Sequence, residues 1–262
     1  MRRLNDAGTI NRVLALLSEL AANPETTAKE AAARMDWPVS TTHRMLQALA
    51  ARDFARPIRR GVFGPGMEFH RIAGRIGKTV PYIQLAEPLL RALTDKYAET
   101  SMLTVLMRQR LRMYFAFVAS PPDPMRYAIE LNRLDPLPWG ASGRALLAFM
   151  SEADISEAIR TCDNLSASSK RLNPKELRTD LRRIRKRGFA TAASQRTLNS
   201  IGIAVPFFDA SDEVVGSIAF QVPQFRFKSQ LLPELSGALQ QTAAQLSRLL
   251  GSPHVFEQEN AA

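Results

Sequence analysis

Cysteine is nearly absent. A single thiol, Cys162, stands among 262 residues, which excludes an intrachain disulfide or internal dithiol switch; it reads as a small buried hydrophobe. Histidine is almost as scarce. His43, His70 and His254 lie far apart in the sequence, and without a His-x-x-His pair there is no ligand set for a metal. Nor is there a Gly-rich phosphate loop or an internal repeat. No apolar run approaches the ~20 residues that a bilayer-spanning helix needs, and the Met-Arg-Arg start is not followed by an apolar signal core. These gaps predict a cytoplasmic protein with no metal, no cofactor and no membrane partner. Catalysis requires converging acids, bases, nucleophiles or metal ligands. None assemble here, so no enzyme is expected, although lone carboxylates such as Glu130 leave that alternative a narrow opening.

What the chain has is positive charge, unevenly placed. The formal net charge is +10. Residues 1–78 hold 13 Lys+Arg against 7 Asp+Glu, and the remaining 184 hold 22 against 18. The excess is denser in the first part, as neutralisation of a phosphate backbone requires. That part also patterns as helices. Ile10, Val13, Leu14, Leu16, Leu17 and Leu20 make an apolar stripe over Thr9–Ala22. Thr27-Ala28-Lys29-Glu30 has the spacing in which a cap and its third residue satisfy each other's amides, opening a short helix to Met35. Asp36 and Trp37 break the pattern, and Pro38, with no amide proton to leave unpaired, suits the first turn of a second helix running to about Ala50. On it Thr42, Met45, Leu46 and Leu49 share one side, leaving Ser40, His43, Arg44 and Gln47 outward. Such an outward set fits a recognition helix in a major groove, and equally an ordinary solvated face.

Two short apolar runs within Phe54–Gly64 flank Arg59-Arg60-Gly61 and predict a hairpin, with Pro57 placing its strand at an edge. As a wing, it would lay Arg56, Arg59 and Arg60 along phosphates, positioning the protein without reading sequence. The candidate contacts to double-stranded DNA are therefore Thr27, Ser40, Thr41, Thr42, His43, Arg44, Gln47, Arg56, Arg59 and Arg60.

The stretch Pro38-Val39-Ser40-Thr41-Thr42-His43-Arg44-Met45-Leu46-Gln47-Ala48-Leu49, with Val62-Phe63-Gly64-Pro65-Gly66 closing the wing, resembles the isocitrate lyase regulator (IclR) family of bacterial transcription factors. The resemblance continues through residues 136–148, a stretch that includes Trp139-Gly140-Ala141-Ser142-Gly143, and through Ile184–Ala190 and Ile203–Asp209, in order and at similar spacing. It covers about residues 9–250. It implies a two-domain fold, a winged helix-turn-helix head of helices followed by an α+β, GAF-like effector-binding domain. It further implies a ligand-responsive regulator that binds operator DNA as a dimer or dimer of dimers, its affinity modulated by a small organic acid, with aromatic acids among the options. The expected boundaries are a head over 1–65, a linker helix over 66–79 that packs against its symmetry mate, an effector domain over 80–251 and a weakly structured tail over 252–262. Repression and activation are not distinguished.

Beyond the linker, the pattern predicts a helix over about Pro81–Ala98, a hairpin of Met102–Met107 and Met113–Ala119, and a third strand within Met125–Leu131. Helices follow over Gly143–Met150, Glu152–Thr161 and Pro174–Arg187, strands over Ile203–Phe208 and Val214–Val222, and a final helix over about Leu231–Leu250. Gly140-Ala141-Ser142-Gly143, placed before a helix, would leave amides open to a carboxylate. Carrying the family's pocket over by position points to Ala141, Ser142, Ala192, Gly202, Ala219 and Gln221. Small residues at 192, 202 and 219, where relatives tend to place polar groups, predict a roomier site for a bulkier effector, or else only tight packing. Gln195 stands where Glu is usual, and Asn199 where Gly is usual. The run Arg182–Arg187 reads as a solvated helix face, with a second nucleic-acid patch as the alternative. A DNA-binding protein whose sensor has degenerated, insensitive to ligand, is the remaining reading.

Overall fold

The computed structural model describes residues 8–77, 81–122, 127, 129–162 and 171–254. The chain divides into two compact units, residues 1–80 and 81–262. In the first, α1 (Thr9–Ala22) is followed by β1 (Thr26–Thr27), α2 (Ala28–Met35), α3 (Val39–Ala50), β2 (Ala55–Arg59), β3 (Val62–Pro65) and α4 (Met67–Gly77). The three helices before the hairpin bury Leu16, Leu20, Ala31 and Leu46 together with Ala55 and Phe63 of the strands. The small antiparallel sheet has the order β1-β3-β2, which leaves β2 and its Pro57 at an edge. Helix α2 starts as its sequence dictates: the Glu30 N–H donates to Thr27 Oγ1 at 3.1 Å, and the Thr27 N–H donates to Glu30 Oε2 at 2.8 Å. It ends where Asp36 turns left-handed, at φ 56°. Pro38 is not the first residue of α3 but its N-cap, at ψ 134°; its carbonyl accepts the Thr42 hydroxyl at 3.2 Å.

The second unit contains α5 (Pro81–Tyr97), β4 (Thr100–Met107), β5 (Arg112–Ala119), β6 (Asp135–Pro136), α6 (Gly140–Leu147), α7 (Glu152–Thr161), α8 (Pro174–Arg187), β7 (Ala190–Ala193), β8 (Ser200–Phe208), β9 (Val214–Pro223) and α9 (Leu232–Leu249). Its strands form one antiparallel sheet in the order β6-β5-β4-β9-β8-β7. Alternation along the strands gives it two apolar faces. Leu103, Val105, Ile203, Val205, Phe207, Ile218 and Phe220 pack under α5 and α9, while Met102, Ala192, Ala204, Phe208 and Ala219 pack under α6, α7 and α8.

Three expectations are corrected here. The third strand expected within Met125–Leu131 falls partly on residues 125, 126 and 128, outside the described residues; Tyr127 and residues 129–131 are not in a strand, and among the described residues β6 pairs with the outer side of β5, Met113 facing Asp135. Gly140 to Gly143 do not precede helix α6 but form its first turn, opened by Gly140 at φ +82°. Gly143 permits this return, since a Cβ there would lie 2.2 Å from the Leu137 carbonyl oxygen. The start of the supposed tail is anchored. Ser252 is buried, and the His254 ring stacks on Phe208 at 3.6 Å with Nδ1 3.0 Å from Asp212 Oδ1. No helix among the described residues is long and apolar enough to cross a membrane.

Candidate functional site

In the first unit, α3 presents Ser40, His43, Arg44 and Gln47 to solvent, and Thr41 is half-buried. Thr42 is a correction. It is 0% exposed, its hydroxyl turned back onto the Pro38 carbonyl, so it holds the helix rather than offering a contact. The Thr27 hydroxyl is likewise taken up, donating to Glu30 Oε2 at 2.8 Å and accepting from the Glu30 amide. Glu30 is held below the ordinary carboxylate range by the Thr27 backbone and side-chain hydrogen bonds. The His43 ring meets Phe63 of β3 edge-on, centroids 6.0 Å apart, tying the outward face of α3 to the hairpin. Arg56, Arg59 and Arg60 are all exposed on β2 and its turn, and Arg59 Nη2 lies 3.2 Å from the Glu25 carboxylate. Arg12 was missed in the sequence, because one cation on the polar side of an amphipathic helix gives no signal. It lines a groove between α1 and α3 together with Arg44, its guanidinium 5.9 Å from the Trp37 ring. The interface is thus a polar, cationic helix face beside an arginine-bearing hairpin, suited to phosphates and base edges.

In the second unit, Ala141, Ser142, Ala192, Gly202, Ala219 and Gln221 line one cavity. The sheet positions β7, β8 and β9 side by side, with Ala192 facing Gly202 and Gly202 facing Gln221, and α6 lays its first turn across them. The cavity is small, with about 40 Å³ open to the centres of water-sized molecules, room for roughly three waters. The reason is a close approach: a Cβ on Gly202 would lie 3.2 Å from the Ala141 Cβ. The small side chains draw the helix onto the sheet, so they do not enlarge the site for an aromatic ring in this conformation.

Its polar groups are few and distinctive. Gln221 is 8% exposed and its Nε2 has no hydrogen-bond partner among the described residues, an arrangement that costs about 1–3 kcal/mol unless something accepts from it. The Gly140 N–H donates to Gln195 Oε1 at 3.1 Å, so a neutral amide caps α6. Asn199 takes the left-handed conformation at φ 56°, the role a glycine would fill. Arg196 also lines the cavity, and nothing in the sequence marked it, because its partner lies 61 positions away in β6. Its Nη1 lies 2.7 Å from Asp135 Oδ2, and its Nη2 donates to the carbonyls of Pro136 and Trp139 at 3.0 and 2.9 Å. Burial pushes the guanidinium below its ordinary value while Asp135 opposes the shift. A buried cation, the positive end of α6 and an unpaired amide therefore surround the same space.

The head and the sheet domain both match known families. The IclR helix-turn-helix domain matches residues 9–58, and the bacterial transcriptional regulator IclR C-terminal domain matches residues 77–248. The chain belongs to the IclR family of bacterial transcriptional regulators. Among its relatives, the HTH-type transcriptional regulator BhcR of Paracoccus denitrificans is 29% identical over 247 residues, covering 91% of this chain and 85% of that one. An IclR-type regulator from a Silicibacter species superposes with a TM-score of 0.85 at 19% identity, over 95% of this chain and 98% of that one. An IclR homologue from Microbacterium hydrocarbonoxydans, crystallised with 4-hydroxybenzoate, superposes with a TM-score of 0.73 at 19% identity, over 91% and 98%. This IclR member accordingly has a helix-turn-helix DNA-binding domain and a C-terminal effector domain.

Proposed function

We propose that this IclR-family regulator binds operator DNA as a dimer or dimer of dimers and that a small organic acid changes its affinity. The observation that carries the effector reading is the cavity between α6 and β7–β9, with the unpaired Gln221 amide, the helix's positive end and Arg196 around one space. That set suits a carboxylate bearing a further acceptor. The size of the cavity favours an acid of a few heavy atoms over an aromatic one; an aromatic acid would require α6 or the 194–199 turn to move. Ser40, Thr41, His43, Arg44 and Gln47 read the groove, and Arg56, Arg59 and Arg60 hold the backbone, with Thr27 supporting α2. Two heads on one duplex raise each other's effective concentration and match a two-fold operator. Effector and operator favour different arrangements of the heads, so each changes the other's affinity by the same factor.

The test is fluorescence anisotropy with duplexes from upstream of the protein's own gene and neighbouring operons, over a salt series, with aliphatic and aromatic acids added singly. Specific, salt-sensitive binding shifted by one short-chain acid is expected. Specific binding that no acid alters would leave a ligand-insensitive DNA-binding protein, and turnover of an added acid would reinstate an enzyme.

A further inference from the structure

Helix α8 concentrates positive charge, part of which no acid among the described residues neutralises. It carries seven Lys or Arg residues against Glu176 and Asp180, a surplus of five. Residues 81–262 hold 22 Lys+Arg and 18 Asp+Glu in all, so without this helix the rest is slightly acidic. Part of the charge has structural work. Arg178 pairs with Glu152, Arg185 donates to the carbonyls of Ala148 and Met150, and Arg187 donates to that of Phe189. Both acids of the helix are engaged too, Glu176 by the Asn173 amide and Asp180 by Arg144.

Lys186 is not free either, which leaves Lys175, Arg182 and Arg183. They are exposed, no acid among the described residues lies within ion-pair distance of them, and Arg182 reaches only the Thr179 hydroxyl. Lys175 and Arg182 are two turns apart on the side opposite the buried Leu177, Leu181 and Ile184, with Arg183 flanking them. The exposed faces of three other helices differ. On α4, α5 and α7 an arginine closes onto a glutamate three or four residues away, as Arg71–Glu68, Arg91–Glu87 and Arg160–Glu157, the ordinary way a solvated face is balanced. Helix α8 has no such pair among the described residues. Clustered like charges raise the cost of folding, so a face kept this way is expected to meet an anionic surface.

We propose that the Lys175–Arg182–Arg183 face of α8 binds the phosphate backbone of duplex DNA beyond the contacts made by the head. DNA is favoured over an acidic protein because the head, read as above to bind DNA, tethers a duplex to the same chain and raises its effective concentration. Two of the three groups are guanidinium forks suited to phosphate oxygens. Contacts of this kind add affinity and salt dependence without sequence preference.

The experiment measures the salt dependence of binding to a random-sequence duplex for the full chain, for K175Q/R182Q/R183Q, and for a wing variant, R56Q/R59Q/R60Q. Loss of three phosphate contacts lowers the slope of log K against log salt by about 2.7, and the α8 variant is expected to show a drop of that order. The charge-conserving K175R/R182K/R183K keeps the parental slope, which separates lost charge from lost structure. A parental slope in the α8 variant beside a reduced one in the wing variant overturns the proposal and leaves the face to an acidic protein or to solvent. The reverse pattern supports α8 and defeats the reading of the wing, and two unchanged slopes defeat both.

Discussion

Gly202 and Gln221 sit across one β8–β9 pair, and each offers a different lever on the cavity. A valine at 202 would place its Cβ 3.2 Å from that of Ala141 and two methyl groups in the remaining space. We expect Gly202→Val to bind operator DNA with parental affinity in the absence of effector while losing the effector's influence on it, read by anisotropy with and without the acid. Gln221→Leu removes an amide that is buried without a partner, so the ligand-free protein is expected to melt no lower than the parent, whereas the rise in Tm on adding effector shrinks. A large fall in the ligand-free Tm would instead give Gln221 a structural role. These residues were legible only by resemblance, since no periodicity marks a small residue as lining a site. Arg196 was not legible at all, its role being set by Asp135, far away in sequence.

The start of α2 was the best-read element because its chemistry is local. The Thr27–Glu30 reciprocal cap was plain in four consecutive residues and stands as two hydrogen bonds. Thr27→Ala is expected to destabilise the protein by about 1 kcal/mol in denaturant unfolding of the head, with an unchanged salt slope for DNA, because a cap makes no phosphate contact. The sign with pH follows from Glu30, whose carboxyl is held below its ordinary 4.5. A lowered folded pKa gives stability that is full above 4.5 and is lost as pH falls through the folded value, so part of the parent's advantage over the variant fades in acid. Short strands were read worst. Thr26–Thr27 and Asp135–Pro136 are two residues each, too short for any alternation to register, and Ala190–Ala193 carries no β-branched residue but Thr191. Pairing partners from other elements define them.

The molecule as a whole is two units built on separate stretches of chain, residues 1–80 and 81–262. If two heads act on one duplex, their half-sites must lie on the same face of the DNA, about 10–10.5 base pairs or a multiple apart. Inserting about 5 base pairs between half-sites is expected to weaken binding sharply, and about 10 to restore much of it; equal affinity for all three spacings in a gel-shift titration would argue against paired heads. The two-unit organisation was visible in the denser positive charge of residues 1–78, whereas the change from helical to strand period comes later, after the helix that starts at Pro81. The cavity raises a different matter. Its floor is set by Ala141, Ala192, Gly202 and Ala219, residues of a helix and a sheet, while Gln195, Arg196 and Thr197 of the 194–199 turn complete the lining. On the reading proposed above, exchanges among glycine, alanine and serine there would retune which metabolite is heard, while α3 and the wing keep the same genomic address. A protein arranged in this way can acquire a new signal before it acquires a new target.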